Sequence, residues 1–206
     1  MTRKLNVGVV LFDKFELLDV FGPLEMLGMY PEKFKLHMLG QHQGTAMSAQ
    51  GPRVALDRSF DHTAQYQILL VPGGAGTRSE VSNPVLLDWL SSQAEHADYV
   101  TSVCTGSALL AAAGLLENRS ATTNKNAFNW VAGYGENVNW VKQARWVVDG
   151  NYYTSSGVSA GIDMSLDLIE NILDRARAEQ AAHWAEYRWN RDSVDDPFAA
   201  LAGLTD

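Results

Sequence analysis

Short runs of aliphatic and β-branched residues recur along the chain, and charged residues are scarce within them. Runs of this kind are typical of strands that are buried on both faces of a sheet. Several of them end at Asp, Gly or Pro, which favour turns. We therefore predict strands at Leu5–Phe12, Phe34–Leu39, Val54–Leu56, Ile68–Val71 and Tyr99–Val103.

Helix-forming residues fill most of the intervals between these strands. Pro is favoured at the first position of a helix, where its missing N–H costs no hydrogen bond. Ala and Leu, both strong helix formers, dominate the segment that follows Cys104. We predict helices from Gly22-Pro23 to about Tyr30, from Asn83-Pro84 to about Ala97, at Ala108–Leu116, near Asn126–Val131 and from Gly161 to about Asn190.

The alternation of buried strands with helices predicts the fold class. Asp149-Gly150 separates two strand-like segments, Arg145–Val148 and Tyr152–Thr154, and this arrangement indicates a hairpin. Elsewhere helices follow the strands, in the order that builds a parallel sheet covered by helices on both faces. We expect an α/β sandwich with a mostly parallel sheet, formed by residues 1–206 as one domain.

Composition narrows the range of functions. The 206 residues carry a net charge of −8 and no block of Lys or Arg, which disfavours binding to nucleic acid. One cysteine excludes an internal disulfide and fits the cytoplasm. The N-terminal apolar run leads into Asp13, Lys14 and Glu16 rather than a cleavage site, and no segment predicts a membrane span. We expect a cytoplasmic protein that binds neither nucleic acid nor membrane.

Cys104, the single cysteine, lies where the predicted strand Tyr99–Val103 turns into a helix. Backbone N–H groups at a helix start favour negative charge, and therefore the reactive thiolate form of a cysteine. Ser102 and Gly106 are small and allow the tight strand-to-helix turn of a nucleophile elbow. A lone cysteine is also commonly a small buried hydrophobic residue, and position alone leaves both interpretations open.

Two other positions converge with Cys104 if the sheet is parallel. Asp19 follows the first predicted strand, and Gly73-Gly74 follows the strand Ile68–Val71. Ligand sites in such sheets form beyond the carboxyl ends of the strands, so all of these residues meet at one edge. Taken alone, Asp19 is more simply a surface acid near the next helix, and the glycines serve only to turn the chain.

Several short motifs occur in a fixed order between about Leu5 and Phe198. They are Leu18-Asp-Val-Phe-Gly-Pro23, Val71-Pro-Gly-Gly74, Val100-Thr-Ser-Val-Cys-Thr-Gly106, Arg119-Ser-Ala-Thr-Thr123, Gly157-Val-Ser-Ala-Gly-Ile-Asp163, Glu186-Tyr187 and Asp196-Pro-Phe198. Together they resemble the DJ-1/PfpI (ThiJ/PfpI) superfamily, a branch of the class I glutamine-amidotransferase-like fold. The resemblance implies a flavodoxin-like three-layer sandwich with a cysteine nucleophile elbow, and a homodimer.

Within this superfamily the chain is most similar to isocyanide (isonitrile) hydratases and to the sensor-like domains of AraC-type regulators. These groups share the Leu-Asp-x-x-Gly-Pro and Cys-Thr-Gly motifs. Thr105 stands where protease-type members carry a histidine, so a Cys–His dyad at that spot is missing and peptidase activity is not expected. Asn124 stands where related sequences often have a histidine, which changes the polar network around the cysteine.

The resemblance also implies roles for individual residues. Cys104 is the implied nucleophile, and Asp19 is an acid of raised pKa whose hydrogen bond lowers the pKa of the thiol. The amides of Gly74 and Thr105 form an implied cradle for developing charge. The Thr105 hydroxyl is equally a substrate contact or a first-turn residue, and Val158 is equally a packing residue. The implied substrate-binding residues are Gly73, Gly74, Thr105 and Val158, with neither a metal ion nor an organic cofactor.

The function that follows is a cysteine-dependent hydratase, which adds water to a small-molecule isocyanide, R–N≡C, and yields an N-substituted formamide. The alternative is a small-molecule-sensing or redox-sensing module without turnover, of the kind found in transcription regulators or stress responses. A serine-hydrolase pattern, Gly157-x-Ser159-x-Gly161 followed by Asp163 and His183, leaves too little chain for the usual triad. The five histidines show no metal-ligand spacing.

Overall fold

The strands of the computed structural model, which describes residues 4–205, form one large sheet and two small pairs. They are β1 (Leu5–Val10), β2 (Phe34–Gly40), β3 (Thr45–Met47), β4 (Arg53–Ala55), β5 (Arg58–Ser59), β6 (Ile68–Val71), β7 (Tyr99–Val103), β8 (Ser120–Ala121), β9 (Asn139–Trp140), β10 (Trp146–Asp149) and β11 (Tyr152–Ser155). The large sheet has the order β10-β11-β7-β6-β1-β2-β5. β3 pairs with β4, and β8 pairs with β9.

The large sheet is parallel apart from the hairpin of β10 and β11 at one edge. Ile68 of β6 pairs with Tyr99 of β7, and Val71 pairs with Ser102. These two strands therefore end side by side, and the residues after Val71 meet the residues after Ser102. The predicted hairpin and the strands at Ile68–Val71 and Tyr99–Val103 are confirmed.

Helices cover both faces of the sheet. They are α1 (Leu17–Gly28), α2 (Thr77–Glu80), α3 (Pro84–Ala94), α4 (Gly106–Ala112), α5 (Phe128–Val131), α6 (Ala160–Ile172), α7 (Arg175–Trp184) and α8 (Phe198–Leu201). α1 packs against α6, and α6 packs against α7. α4 packs instead against α2 and α3. The result is the expected flavodoxin-like sandwich of three layers, and none of the described helices is long and apolar enough to cross a membrane.

The core lies between the sheet and these two helical layers. Val7, Ile68, Leu69 and Val100 from the central strands are fully buried. Burying side chains of this size stabilises the fold by roughly 1.5–3 kcal/mol each. A rigid parallel sheet of this kind holds the loops at its carboxyl edge in fixed positions.

Two predicted helices differ from the structure in where they start or divide, and a third, predicted at Ala108–Leu116, already ends at Ala112. The first begins at Leu17, not at Gly22-Pro23, and Pro23 lies inside it. Pro23 removes one backbone hydrogen bond, but the buried face of α1 packs on α6 and this tertiary packing outweighs local preference. The predicted helix from Gly161 to Asn190 is two helices, because Asp174 starts a new one by accepting a hydrogen bond from the Arg177 N–H.

Candidate active site

Cys104 occupies a nucleophile elbow between β7 and α4. Its φ angle is 57°, a left-handed conformation that a residue with a Cβ adopts only when its surroundings impose it. Its N–H donates to the carbonyls of Ser155 and Ser156 at 3.2 and 3.3 Å. Its carbonyl accepts from Thr123 Oγ1 at 2.9 Å and from Ser107 Oγ at 3.2 Å. These four hydrogen bonds hold the backbone of the elbow in place.

Two glycines make room for this turn. A Cβ atom at Gly73 would lie 2.5 Å from the Thr105 nitrogen and 2.9 Å from the Cys104 Cβ. A Cβ at Gly106 would lie 2.2 Å from the Val71 carbonyl oxygen. Any side chain at either position would therefore push the elbow away from the end of β6.

Asp19 lies in the first turn of α1 and is completely buried. Its Oδ2 accepts a hydrogen bond of 2.9 Å from the Gly73 N–H, and its Oδ1 has no hydrogen-bond partner among the described residues. Burial raises the pKa of this carboxyl to about 8, although the bond from Gly73 and the interaction with the Cys104 thiol lower it. Asp19 is therefore mainly protonated at pH 7. Its interpretation as a surface acid is wrong, whereas the expected rise in its pKa is present.

Cys104 is only 6% exposed, and the pKa of its thiol differs from the sequence expectation. Burial raises the pKa of the thiol above its ordinary value, and the negative charge of an ionised Asp19 raises it further. Hydrogen bonding from the Thr105 backbone and the Asn124 side chain lowers it by less. The expected depression of the thiol pKa is wrong for this reason. At neutral pH both members of the pair hold their protons.

Asn124 provides a polar partner for the sulfur in the absence of the histidine that related sequences often have. Its Oδ1 accepts from the Ala127 N–H at 3.2 Å, which turns the amide nitrogen in the opposite direction. A Cβ atom placed on Gly157 would lie 2.1 Å from Asn124 Nδ2 and 3.1 Å from the Cys104 Sγ. The amide nitrogen and the sulfur therefore lie on the same side of Gly157, where the amide donates towards the thiol.

The hydroxyl of Thr105 belongs to a network inside the protein. Its Oγ1 accepts from the Gly74 N–H at 3.1 Å and from Thr77 Oγ1 at 3.1 Å. The amide of Gly74 is thus already hydrogen-bonded, and of the two amides in the predicted cradle only that of Thr105 interacts with the sulfur. The substrate-binding roles of Gly73, Gly74 and Thr105 stay predictions, while the structure gives Gly73 the task of orienting Asp19.

A cavity of about 330 Å³ lies beside the elbow, and Val158 is one of its lining residues. Asn124 and Gly157, which contact the sulfur region, also line it and connect it to Cys104. The full lining is Leu18, Asn124, Lys125, Asn126, Ser156, Gly157, Val158, Ser159, Phe198 and Leu201. Another cavity, of about 240 Å³, lies beyond β1 and β2 and contains none of the predicted site residues.

The serine-hydrolase pattern does not form a triad. Asp163 forms an ion pair with Arg145, whose Nε donates a hydrogen bond of 2.6 Å to Asp163 Oδ2. Ser159 Oγ accepts a weaker contact of 3.4 Å from the same guanidinium, and His183 is exposed on α7. Among residues 4–205, no group of three or more His, Cys, Asp or Glu side chains is placed to hold a metal ion.

Sequence reasoning missed three contributors to this region. Lys125 and Asp196, both buried, form an ion pair behind the cavity. Gly157 leaves the space in which Asn124 reaches the sulfur. The only signal in the sequence was that Gly157 and Asp196 each belong to a motif of the resembled family, without a role attached to them.

The parallel sheet and the Cys104 elbow define a flavodoxin-like α/β protein built around a buried cysteine. The sequence pattern of the DJ-1/PfpI family matches residues 5–171, and the chain belongs to this family. It is 34% identical over 183 residues to an isonitrile hydratase of Pseudomonas putida, covering 89% of this chain and 78% of that protein.

Two further relatives broaden the comparison. The HTH-type transcriptional regulator GbdR of Pseudomonas aeruginosa is 28% identical over 176 residues, which are 80% of this chain and 46% of the regulator. A THiJ/PfpI family protein from Pseudomonas syringae superposes with a TM-score of 0.85 at 26% identity, covering 98% of this chain and 85% of that one. Enzymes and regulators are therefore both among the relatives of this chain.

Proposed function

We propose that the chain is a cysteine-dependent enzyme of the isocyanide hydratase type, which adds water to R–N≡C and releases the N-substituted formamide. The observation that carries this proposal is the buried pair of Cys104 and Asp19, in which Asp19 Oδ1 lacks a hydrogen-bond partner among the described residues. A nucleophile beside a proton donor is what this addition requires. The isonitrile hydratase relative supports the choice of substrate class.

In the first proposed step, the thiol of Cys104 adds to the terminal carbon of the isocyanide. A sulfur lone pair forms the S–C bond, while the protonated carboxyl of Asp19 delivers its proton to the same carbon. The thiol proton passes to Asp19, which ends the step protonated as it began. The product is a thioimidate, R–N=CH–S, on Cys104. A neutral pair suits this step because the addition consumes the thiol proton.

In the second step, water hydrolyses the thioimidate. Asp19 gives its proton to the imine nitrogen, and its carboxylate then accepts a proton from the water that attacks the carbon. The C–S bond then breaks as the departing sulfur takes that proton from Asp19, and the carboxylate takes the remaining hydroxyl proton, which completes the formyl group and leaves Asp19 protonated. The products are R–NH–CHO and the free thiol, so the two steps sum to isocyanide plus water with no oxidant or reductant.

The partners of the sulfur assist both steps. The N–H of Thr105 and the side-chain amide of Asn124 interact with Cys104 in the way that lowers the pKa of its thiol. They therefore stabilise the partial negative charge on sulfur as the thiol gives up its proton in the first step and as sulfur departs in the second. Because burial keeps the resting thiol protonated, this assistance matters most in the transition states.

The proposal is tested by the formation of formamide from cyclohexyl isocyanide. Purified, fully reduced protein is incubated with the isocyanide, and N-cyclohexylformamide is quantified by chromatography beside Cys104→Ala and Cys104→Ser. We expect turnover by the wild type and none by either variant above the uncatalysed background. Turnover by Cys104→Ala would contradict the mechanism, and a folded wild type without turnover would contradict the proposed substrate.

The relationship to GbdR favours a second candidate, a module that senses a small molecule without converting it. Such a module would bind its ligand in the same 330 Å³ cavity. It would leave the isocyanide unchanged, and ligand binding would survive Cys104→Ala. A redox-sensing version would instead show reversible oxidation of Cys104 at low peroxide concentration, detected as an intact-mass increase that a thiol reductant removes.

A further inference from the structure

The cavity beside Cys104 has an apolar side that comes from separate parts of the chain. Leu18 lies in the first turn of α1, Val158 follows β11, and Phe198 and Leu201 lie on α8. Phe198 and Leu201 are 51% and 82% exposed, so they form the outer part of this wall. Large apolar side chains that stay exposed at the mouth of a cavity are typical of a site that binds the apolar part of a ligand.

The remaining lining is polar but almost entirely uncharged. Asn126, Ser156 and Ser159 supply amide and hydroxyl groups. Among the described residues that line the cavity, Lys125 alone carries a charge, and it is only 4% exposed. Its Nζ donates to Thr122 Oγ1 at 2.7 Å and to the Ala144 carbonyl at 2.6 Å. The Lys125 ammonium is therefore held by acceptors within the protein and is not offered to a ligand.

Asp196 links this lysine to α8. Its Oδ2 lies 3.9 Å from Lys125 Nζ, and its Oδ1 accepts a hydrogen bond of 3.1 Å from the Phe198 N–H. The Asp196 carbonyl also accepts from the Ala199 N–H at 3.0 Å. One buried carboxylate thus fixes the start of α8 against the loop that carries Asn124 and Lys125.

We propose that α8, fixed by the ion pair of Lys125 and Asp196, is the wall that selects the R group of the substrate, and that this group is uncharged, apolar and about the size of one ring. The choice of an isocyanide as substrate rests on the proposed function, whereas the selecting wall does not. The cavity of about 330 Å³ lies at the small end of ligand sites, which suits a single ring. Charged groups are excluded because no lining residue compensates for their loss of water.

In this account Phe198 and Leu201 touch the substrate, while Lys125 and Asp196 are positioning residues that act through α8. Removing a positioning residue should raise the KM for cyclohexyl isocyanide and leave kcat nearly unchanged, because the Cys104–Asp19 pair is intact. The same variant should leave the KM for methyl isocyanide unaltered, because a methyl group does not reach α8.

The role of α8 can be tested without any turnover by alkylating Cys104. Because Cys104 is the only cysteine in the chain, every thiol adduct reports on this site. The rate of alkylation is measured with N-methylmaleimide and N-phenylmaleimide, which share one electrophile and differ only in the attached group. Phe198→Ala should lower the ratio of the phenyl rate to the methyl rate by about fivefold, the loss expected for one aromatic contact. Val85→Ala, an equally exposed residue outside the cavity, is the matched control and should keep the wild-type ratio.

Asp196→Asn and Lys125→Met should lower the same ratio, and combining Asp196→Asn with Phe198→Ala should lower it no further than Phe198→Ala alone. Asp196→Asn keeps an oxygen for the Phe198 N–H, so it serves if Lys125→Met fails to fold. Wild-type ratios of the phenyl rate to the methyl rate in both Phe198→Ala and Asp196→Asn would refute the proposal that α8 selects the R group. An unchanged ratio together with a changed oligomeric state of Phe198→Ala would also refute the proposal. It would show instead that Phe198 lies at an interface between copies of the chain. If the wild type does not convert the isocyanide but the alkylation ratios change as expected, the proposed function is refuted and the role of α8 is not.

Discussion

The Gly73 N–H donates a hydrogen bond of 2.9 Å to Asp19 Oδ2, and this bond joins the end of β6 to the first turn of α1. It occupies one carboxyl oxygen and leaves Oδ1 without a partner among the described residues. The carboxyl is therefore held in one orientation beside Cys104 while it retains an oxygen that can carry a proton.

Asp19→Asn should lower kcat/KM for isocyanide hydration by at least about 100-fold, because the amide cannot deliver a proton. The variant keeps an oxygen for the Gly73 N–H, so its circular dichroism spectrum should match that of the wild type. Glu25→Gln, an exposed acid on the same helix, is the control and should retain full activity. Normal activity in Asp19→Asn would remove Asp19 from the mechanism.

The pH dependence of turnover should oppose that of thiol alkylation. Asp19 has a pKa of about 8, so kcat/KM should stay level below pH 8 and fall as the pH rises through that value and the carboxyl loses its proton. Alkylation of Cys104 by iodoacetamide should instead accelerate with pH, because burial keeps the thiol protonated at neutral pH. Turnover that increases together with alkylation up to pH 10 would contradict the role of Asp19 as proton donor.

Asp19 should also make the folded state less stable as the pH rises. Its pKa is 3.8 as a free side chain and about 8 in the fold, so between these values the native state holds a proton that the unfolded state has lost. Stability from this group is complete below about pH 4 and declines up to pH 8. The free energy of unfolding of the wild type, relative to Asp19→Asn, should therefore fall between pH 5 and pH 8 in urea titrations. A constant difference would show that Asp19 is ionised.

The contact of Asn124 with the sulfur predicts slower thiol chemistry when it is removed. Asn124→Leu should reduce the rate of Cys104 alkylation at pH 8 by about tenfold, since a hydrogen bond to a charged group is lost. Gly157→Ala should have a similar effect, because the new Cβ would lie 2.1 Å from Asn124 Nδ2 and displace it. Gly28→Ala, where the nearest atom is 3.7 Å away, is the control. Wild-type rates in both variants would show that Asn124 does not assist the sulfur.

Lys125→Met should be strongly destabilising. It leaves Asp196, which is 1% exposed, as a buried carboxylate without its cation, and breaking a buried pair in this way costs about 3–5 kcal/mol. The exposed pair of Arg175 and Glu179 offers the comparison, and Arg175→Ala should leave the urea midpoint unchanged. Equal midpoints for Lys125→Met and the wild type would show that the pair does not hold the C-terminal segment.

The sequence was sufficient to predict the central strands and the elbow, but not the short strands β3, β5 and β9. Ile68–Val71 and Tyr99–Val103 are short apolar runs with no competing helical pattern, and their parallel pairing explains why Gly73 and Cys104 meet. The start of α1 was not predictable in the same way, because Gly22-Pro23 has the local signature of a helix start. Only the packing of α1 against α6 favours the longer helix that buries Asp19.

The electrostatic state of the site needed the structure. Whether a cysteine at an elbow gains or loses a proton depends on how deeply its neighbours bury it, and burial of Cys104 outweighs the hydrogen bonds that it receives. The pairing of Lys125 with Asp196 joins residues that are distant in the chain, and no local pattern signals it. The same limit applies to Asn124, whose orientation is set by the Ala127 N–H and the space at Gly157.

Rapid-quench intact-mass spectrometry reveals whether Cys104 forms a covalent bond with the isocyanide carbon. After wild-type protein is mixed with cyclohexyl isocyanide and quenched in acid within one turnover, we predict a transient species heavier by the whole mass of the isocyanide. It should decay as the formamide appears, and Cys104→Ser should not form it. Formamide that accumulates at the same rate with no adduct on Cys104 at any time would exclude Cys104 as the nucleophile.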